Sequence, residues 1–137
     1  MRRIDKIILH CSATLPGQRV DVETITRWHK ERGFKTIGYH FFIDRSGTIH
    51  AGRPLEQQGA HCKGQNAHSI GICYEGGLNK DGKPLDTRTI LQRIAMKELV
   101  AQLLTQFPDA TVHGHREFAN KACPCFDVQA EFGKKNP

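Results

Sequence analysis

The sequence predicts an α/β fold, with a single domain over residues 1–137 and a central mixed β-sheet flanked by helices. Strand-like apolar runs alternate with stretches of helical periodicity, which is typical of a sheet covered by helices. One early hairpin signal makes part of the sheet antiparallel. The chain shows no internal repeat and no linker, and its 137 residues suit one domain with a sizeable apolar core.

The first half of the chain is predicted to form a strand, a helix and a hairpin. "KIILHCSAT" (6–14) indicates a buried strand that ends in a polar loop. A helix is expected over 21–34, with Asp21 as its N-cap and Gly33 as its stop. Its helically spaced inner positions are Val22, Ile25, Trp28 and His29. "GYHFFIDRSGTIHAGR" (38–53) has two short β runs around the turn "DRSG".

The second half is predicted to form two strands and two helices. "SIGICYEGG" (69–77) is a continuous apolar run bounded by glycines, which favours a central strand, and the loop "NKDGKPLD" follows it. The strongest helical pattern covers 87–107. Its expected apolar stripe contains Ile90, Ile94, Leu99 and Leu103. A short strand over 109–115 and a last helix within 125–133 complete the prediction.

Composition and charge narrow the function classes. The net charge is +6, from 20 basic and 14 acidic side chains, which favours anionic partners. The cations are scattered and few aromatic residues lie among them, so a basic solvated surface is favoured over a nucleic-acid groove. No apolar run approaches the ~20 residues of a membrane helix. "KIILH" near the N-terminus is too short for a signal-peptide core, so we expect neither a membrane segment nor a signal peptide.

The number and spacing of the cysteines indicate reduced thiols or metal ligands rather than disulfides. There are five, an odd number at uneven spacing, which argues against a full disulfide framework. A single local bridge that involves Cys62 or Cys125 remains open at this point.

The stretch 112–128, "VHGHREFANKACPCFDV", concentrates residue types that bind soft metal ions. His115 follows a predicted strand and Cys123 lies eight residues later, so both can reach one zinc ion. A third, distant ligand would leave the fourth position open to water, as in catalytic zinc sites. The pair is also compatible with no metal at all. Cys125 is a poorer ligand because a proline restricts the turn, and His113 could support the site instead of ligating.

Three further residues carry possible chemistry. His10 stands at the end of the first strand, where open α/β folds tend to place their sites. Lys121 lies two residues before Cys123 and could stabilise an oxyanion, or it could be an exposed loop lysine. Tyr39 could orient a metal-bound water or exchange a proton with it, or it could be a core tyrosine. Two carboxylates remain as candidates for a general base, Glu75 and Glu117.

Four stretches in a fixed order carry a family resemblance: "ILHCSAT", "GYHFFIDRSGTIHAGRP", "GAHCKGQNAHSIGICYEGG" and "HREFANKACPCFDV". Together they resemble the zinc-dependent N-acetylmuramoyl-L-alanine amidases of the type-2 amidase family, which are related to peptidoglycan recognition proteins. The pattern is most similar to the bacteriophage T7 lysozyme branch, over residues 4–132. The resemblance implies one zinc ion, and the residues that match the family's ligands are His10, His115 and Cys123. It also implies catalytic roles for Tyr39 and Lys121, and substrate-binding roles for His61, Asn66 and His40.

The resemblance also implies an activity and a partner. The expected reaction is hydrolysis of the amide bond between N-acetylmuramic acid and the L-alanine of the stem peptide, in peptidoglycan or muropeptides. We expect a monomer with no nucleic-acid or membrane partner, which reaches the cell wall after release by lysis or by a non-classical route. Members of the muropeptide-recycling type carry an aspartate ligand and a glutamate where this chain has Cys123 and Cys73, so the tyrosine–lysine form of the mechanism is favoured. A non-catalytic peptidoglycan-binding domain and a regulatory partner protein are the alternatives.

Overall fold

The computed structural model of the chain describes residues 1–133. Its strands and α-helices follow in the order β1 (Lys6–Cys11), α1 (Val22–Glu31), β2 (Phe41–Ile43), β3 (Ile49–Ala51), β4 (Ser69–Tyr74), α2 (Ile90–Gln106), β5 (Thr111–Gly114) and α3 (Val128–Phe132). Within these residues the strands form one sheet in the order β3-β2-β4-β1-β5. Only the β2–β3 pair is antiparallel. The predicted α/β fold with a mixed sheet is confirmed.

Helix α1 begins and ends at the residues that the sequence indicates. The Asp21 carboxylate accepts the backbone N–H of Thr24 at 2.8 Å and so caps the first turn. Gly33 has φ +92°, a left-handed conformation that glycine adopts without strain and that ends the helix. The buried Ile25 and His29 face the sheet, as predicted.

The buried face of helix α2 differs from the apolar stripe that the sequence pattern predicts. Leu99 and Leu103 are buried, but Ile90 is 76% exposed and Ile94 is 51% exposed. The five-residue step from Ile94 to Leu99 turns the helix by about 140°, so the two pairs lie on different faces. The fully buried Gln92 lies on the inner face, and its side-chain amide donates to two backbone carbonyls at the end of the sheet. The prediction of one continuous stripe was therefore wrong for Ile90 and Ile94.

The register of the parallel strands brings two histidines together. Leu9 of β1 pairs with Gly114 of β5. The next residues along the two strands, His10 and His115, therefore lie side by side at the carboxyl-terminal edge of the sheet. No helix within residues 1–133 has the length and apolar character needed to cross a bilayer.

Candidate metal centre and substrate groove

Three side chains converge at this edge of the sheet. One potential ligand atom from each of His10, His115 and Cys123 lies within 4.8 Å of the other two, the only such group found among residues 1–133. His10 Nδ1 is 3.1 Å from His115 Nδ1 and 3.9 Å from Cys123 Sγ. Tetrahedral zinc bonds imply ligand separations of about 3.3 Å between nitrogens and about 3.6 Å between nitrogen and sulfur. The donor set and its spacing fit a zinc ion.

Backbone groups hold the Cys123 thiol in place. The N–H of Cys11 donates to Cys123 Sγ at 3.2 Å. The N–H of Arg116 donates to the Cys123 carbonyl at 2.7 Å, which closes the loop between His115 and Cys123. These two hydrogen bonds fix the position of the sulfur beside His10.

A second layer of contacts orients His10. Its Nε2 lies 2.8 Å from His61 Nδ1, and His61 Nε2 lies 3.2 Å from Ser69 Oγ. If His10 Nδ1 faces the metal, its Nε2–H donates to His61, which in turn donates to Ser69. Metal-binding histidines usually have such a partner on the ring nitrogen away from the metal.

The protonation states fit this arrangement. Burial, followed by the nearby His61 and His115, holds the pKa of His10 well below its usual value. Burial first, and then His40, lower the pKa of His61 to about 3. Both rings are therefore neutral near pH 7, as metal ligation and the chain of hydrogen bonds require.

The close approach of His61 to the sheet depends on Gly71 in β4. A Cβ atom at Gly71 would lie only 2.6 Å from Cγ of the His61 ring. The glycine therefore makes room for the ring on the face of the strand.

Tyr39 lies beside the metal site. Its ring centroid is 5.0 Å from that of His10. Burial first, and then the neighbouring Cys73 sulfur, raise the pKa of Tyr39 well above its usual value. The phenol is thus protonated at neutral pH and can donate a hydrogen bond into the site.

A groove of about 750 Å³ opens over these residues. Tyr39, His61, Asn66, His115 and Lys121 all line it. The charge on Lys121 also contributes to lowering the pKa of His115, after the larger effect of burial. The Asn66 side-chain oxygen accepts the backbone N–H groups of His61 and Cys62, both at 3.0 Å, so its amide N–H₂ can face a ligand. The structure thus brings together seven of the eight predicted site residues.

The eighth, His40, is not part of the groove. It is only 1% exposed, and its Nδ1 accepts the backbone N–H of Gly71 at 3.1 Å. Its Nε2 lies 2.8 Å from the Gln57 carbonyl, to which the neutral ring donates. Both ring nitrogens are used within the protein, so the prediction that His40 binds substrate is corrected to a structural role beneath His61.

The two candidate carboxylates also serve the fold. Glu75 accepts the backbone N–H groups of Val20 at 2.8 Å and Arg45 at 2.9 Å. Glu117 accepts the N–H of Gly114 at 2.6 Å and pairs with His113 at 2.9 Å. Neither carboxylate lines the groove, and His113 braces the end of β5 through Glu117.

All five cysteines are free thiols. Cys125 Sγ lies 3.8 Å from Cys11 Sγ and 3.3 Å from the Gly77 carbonyl oxygen, and it does not belong to the group of converging ligand atoms. The local bridge left open by the sequence is therefore absent, and Cys125 is not a ligand. Sequence reasoning missed the contributions of Cys11 and Ser69, because one acts through its backbone N–H and the other through His61.

Comparisons with known sequences identify the family of the chain. Residues 1–126 match the family Amidase_2, N-acetylmuramoyl-L-alanine amidase. The endolysin of Escherichia phage T7 is 45% identical over 125 residues, which cover 91% of this chain and 83% of that protein.

Solved structures show the same fold. The N-acetylmuramoyl-L-alanine amidase LysC from Clostridium intestinale superposes with a TM-score of 0.82 at 27% identity, and the match covers 95% of this chain and 85% of LysC. A mutant of Drosophila PGRP-LB in complex with tracheal cytotoxin superposes with a TM-score of 0.79 at 26% identity, covering 96% of this chain and 80% of PGRP-LB.

Proposed function

The chain belongs to the N-acetylmuramoyl-L-alanine amidase family and is a peptidoglycan amidase, and we propose that it works with one zinc ion held by His10, His115 and Cys123. The observation that carries the proposal is the convergence of these three side chains beside a groove that His115 lines. The bond cleaved is the amide between N-acetylmuramic acid and the L-alanine of the stem peptide.

The metal and the protein contribute different parts of the chemistry. When bound, zinc would act as a Lewis acid and lower the pKa of a water molecule. His61 keeps His10 in the tautomer that offers Nδ1 to the metal. The groove places the scissile carbonyl next to the ligands and excludes bulk water from one side of it.

Tyr39 and Lys121 act on the substrate. The Tyr39 phenol donates a hydrogen bond that orients the nucleophile or handles its proton. The Lys121 ammonium stabilises the oxyanion that forms on the substrate carbonyl as the amide is attacked. Groups of this kind typically lower the barrier by about 3–4 kcal/mol each.

The partner of the site is peptidoglycan or a soluble muropeptide. We expect the protein to act as a monomer. We also expect it to reach the wall after lysis or by a non-classical route.

Mass spectrometry of purified peptidoglycan after digestion tests the proposed bond. We expect free stem peptides that begin with alanine. New reducing sugar ends without free stem peptides would identify a glycosidase and contradict the proposal. Binding to peptidoglycan with neither product, by a chain that contains zinc, would favour the non-catalytic alternative.

A further inference from the structure

The charged side chains that line the groove are all cationic. Three cationic side chains, Arg32, Lys63 and Lys121, line it, and no aspartate or glutamate of residues 1–133 does. The sequence as a whole has 14 acidic residues for 20 basic ones, so the absence of carboxylates is a local property of the groove. A groove with one sign of charge attracts ligand groups of the opposite sign.

We propose that Arg32 and Lys63 bind carboxylates of the stem peptide and make the enzyme prefer stems with free carboxylates over stems with carboxamides. The inference rests on the proposed function, because it assumes that the stem peptide occupies the groove. Lys121 is left out of it because it lies next to the ligand Cys123 and is assigned to the oxyanion.

The two cations are available for a ligand. Neither the Arg32 guanidinium nor the Lys63 ammonium takes part in a salt bridge within the described part of the chain. Arg88 behaves differently, since it is buried and held by Asp86 and Glu131. The protein thus satisfies its structural arginine with its own carboxylates and leaves the groove cations without one.

Contacts within the protein restrict the positions of both cationic residues. The Arg32 guanidinium lies 4.9 Å from the centroid of the Phe34 ring, a cation–π contact that restricts its position at the end of α1. Lys63 belongs to the loop that Asn66 closes by accepting the N–H groups of His61 and Cys62. Arginine matches a carboxylate through two parallel N–H bonds, whereas lysine acts as a point charge.

The chemistry of the substrate supplies the matching groups. Stem peptides carry carboxyl groups beyond the scissile amide, and a cell wall contains them either as free acids or as carboxamides. A carboxamide has the same size as the carboxylate but no charge, and it offers an N–H₂ donor to groups that are themselves donors. Cationic partners therefore discriminate against it.

The test compares two synthetic muramoyl peptides that differ only in one stem group, the free carboxylate or its carboxamide. We expect wild-type kcat/KM to be about tenfold higher for the acid. Arg32→Gln and Lys63→Gln should each reduce kcat/KM for the acid several-fold more than kcat/KM for the carboxamide, so that the ratio of the two values falls toward one. Lys30→Gln is the matched control, since Lys30 lies in the last turn of α1, two residues before Arg32, but lines a different surface depression.

The outcomes separate this inference from the proposed function. Cleavage of both substrates at equal rates, or an equal loss of preference in Lys30→Gln, would overturn the inference and leave the amidase intact. If neither substrate were cleaved, the proposed function would fail, and calorimetric binding of the two free stem peptides would then decide. If the wild type binds the acid more tightly than the carboxamide and Arg32→Gln loses this difference, the inference is supported. If the wild type binds the acid and the carboxamide equally, the inference is overturned.

Discussion

Two polar clusters lie at the carboxyl-terminal edge of the sheet. In one, the Glu75 carboxylate that follows β4 accepts two backbone N–H groups and pairs with the Arg45 guanidinium at 3.4 Å. In the other, His10 and His115 turn ring nitrogens toward each other at 3.1 Å, with the Cys123 sulfur beside them. Protein donors fully satisfy the carboxylate, whereas the second cluster consists of lone-pair donors around a common point.

The difference separates a structural cluster from a functional one. Titratable residues at the ends of parallel strands occur in both, so position in the fold alone does not identify the site. What distinguishes the candidate metal centre is that its donor atoms fit an ion and that one of its residues, His115, lines a groove. Substitutions in the candidate metal centre should therefore lower activity, whereas substitutions in the Glu75 cluster should lower stability.

The largest effect is expected at the metal ligands. Cys123→Ser should abolish zinc retention and peptidoglycan cleavage, because a hydroxyl replaces the only sulfur ligand. Cys125→Ser, two residues away in the same loop, is the control and should keep both. Elemental analysis with dye release from labelled peptidoglycan measures the two properties. Full activity of metal-free Cys123→Ser would remove the metal centre from the mechanism.

The next largest effect is expected at the phenol. Tyr39→Phe should lower kcat by about 10²–10³-fold, since it removes one preorganised donor and leaves the ligands in place. Zinc content measured on the same sample should match wild type. Unchanged turnover would exclude Tyr39 from the chemistry.

The structural cluster should respond through stability. Glu75→Gln should lower the free energy of unfolding by about 2–3 kcal/mol, because an amide N–H₂ replaces one oxygen that accepts a backbone N–H. Urea unfolding measures the loss, and the solvent-exposed Glu23→Gln is the control with almost no change. Zinc binding and kcat of folded Glu75→Gln should stay close to wild type. A large drop in kcat of Glu75→Gln at full zinc content would contradict the assignment of the Glu75 cluster to stability alone.

The smallest expected effect is on the pH dependence of stability. Burial, and then Arg32, lower the pKa of His29 to about 4, and its Nδ1 accepts the N–H of Gly38 at 2.7 Å. Because the unfolded ring titrates near the ordinary value of about 6.5, the unfolded chain binds more protons between pH 4 and 6.5. Stability is therefore lost as the pH falls through this window and is constant above it.

A single substitution isolates this contribution. His29→Gln in metal-free protein should remove about 1 kcal/mol of the stability difference between pH 6.5 and pH 5.5. Chemical denaturation at the two pH values measures it. An unchanged difference would mean that folding does not lower the pKa of His29.

The sequence predicts the order of elements well because local signals define them. Asp21 and Gly33 bound α1 through a side-chain cap and a left-handed turn, which depend on few neighbours. The resemblance predicts the three proposed metal ligands, and the ends of two strands give a physical reason for two of them. These features are local, or they repeat a pattern shared with relatives.

The remaining features depend on packing between distant residues. Ile90 and Ile94 look like core residues, but the buried Gln92 satisfies sheet carbonyls and sets which face of α2 turns inward. His40 is adjacent to Tyr39 in sequence, yet opposite faces of the chain direct one ring beneath the site and the other into it. Hydrogen-bond partners more than fifty residues apart, such as His10 and His61, have no local signal.

X-ray absorption at the zinc edge of the zinc-loaded protein tests the metal centre most directly. We expect one sulfur scatterer at about 2.3 Å and two imidazole nitrogens at about 2.0 Å, with a light atom in the fourth position. Cys123→Ser should lose the sulfur signal, whereas Cys125→Ser should keep it. A wild-type spectrum with no sulfur scatterer, or one that loses its sulfur in Cys125→Ser, would contradict the proposed ligands.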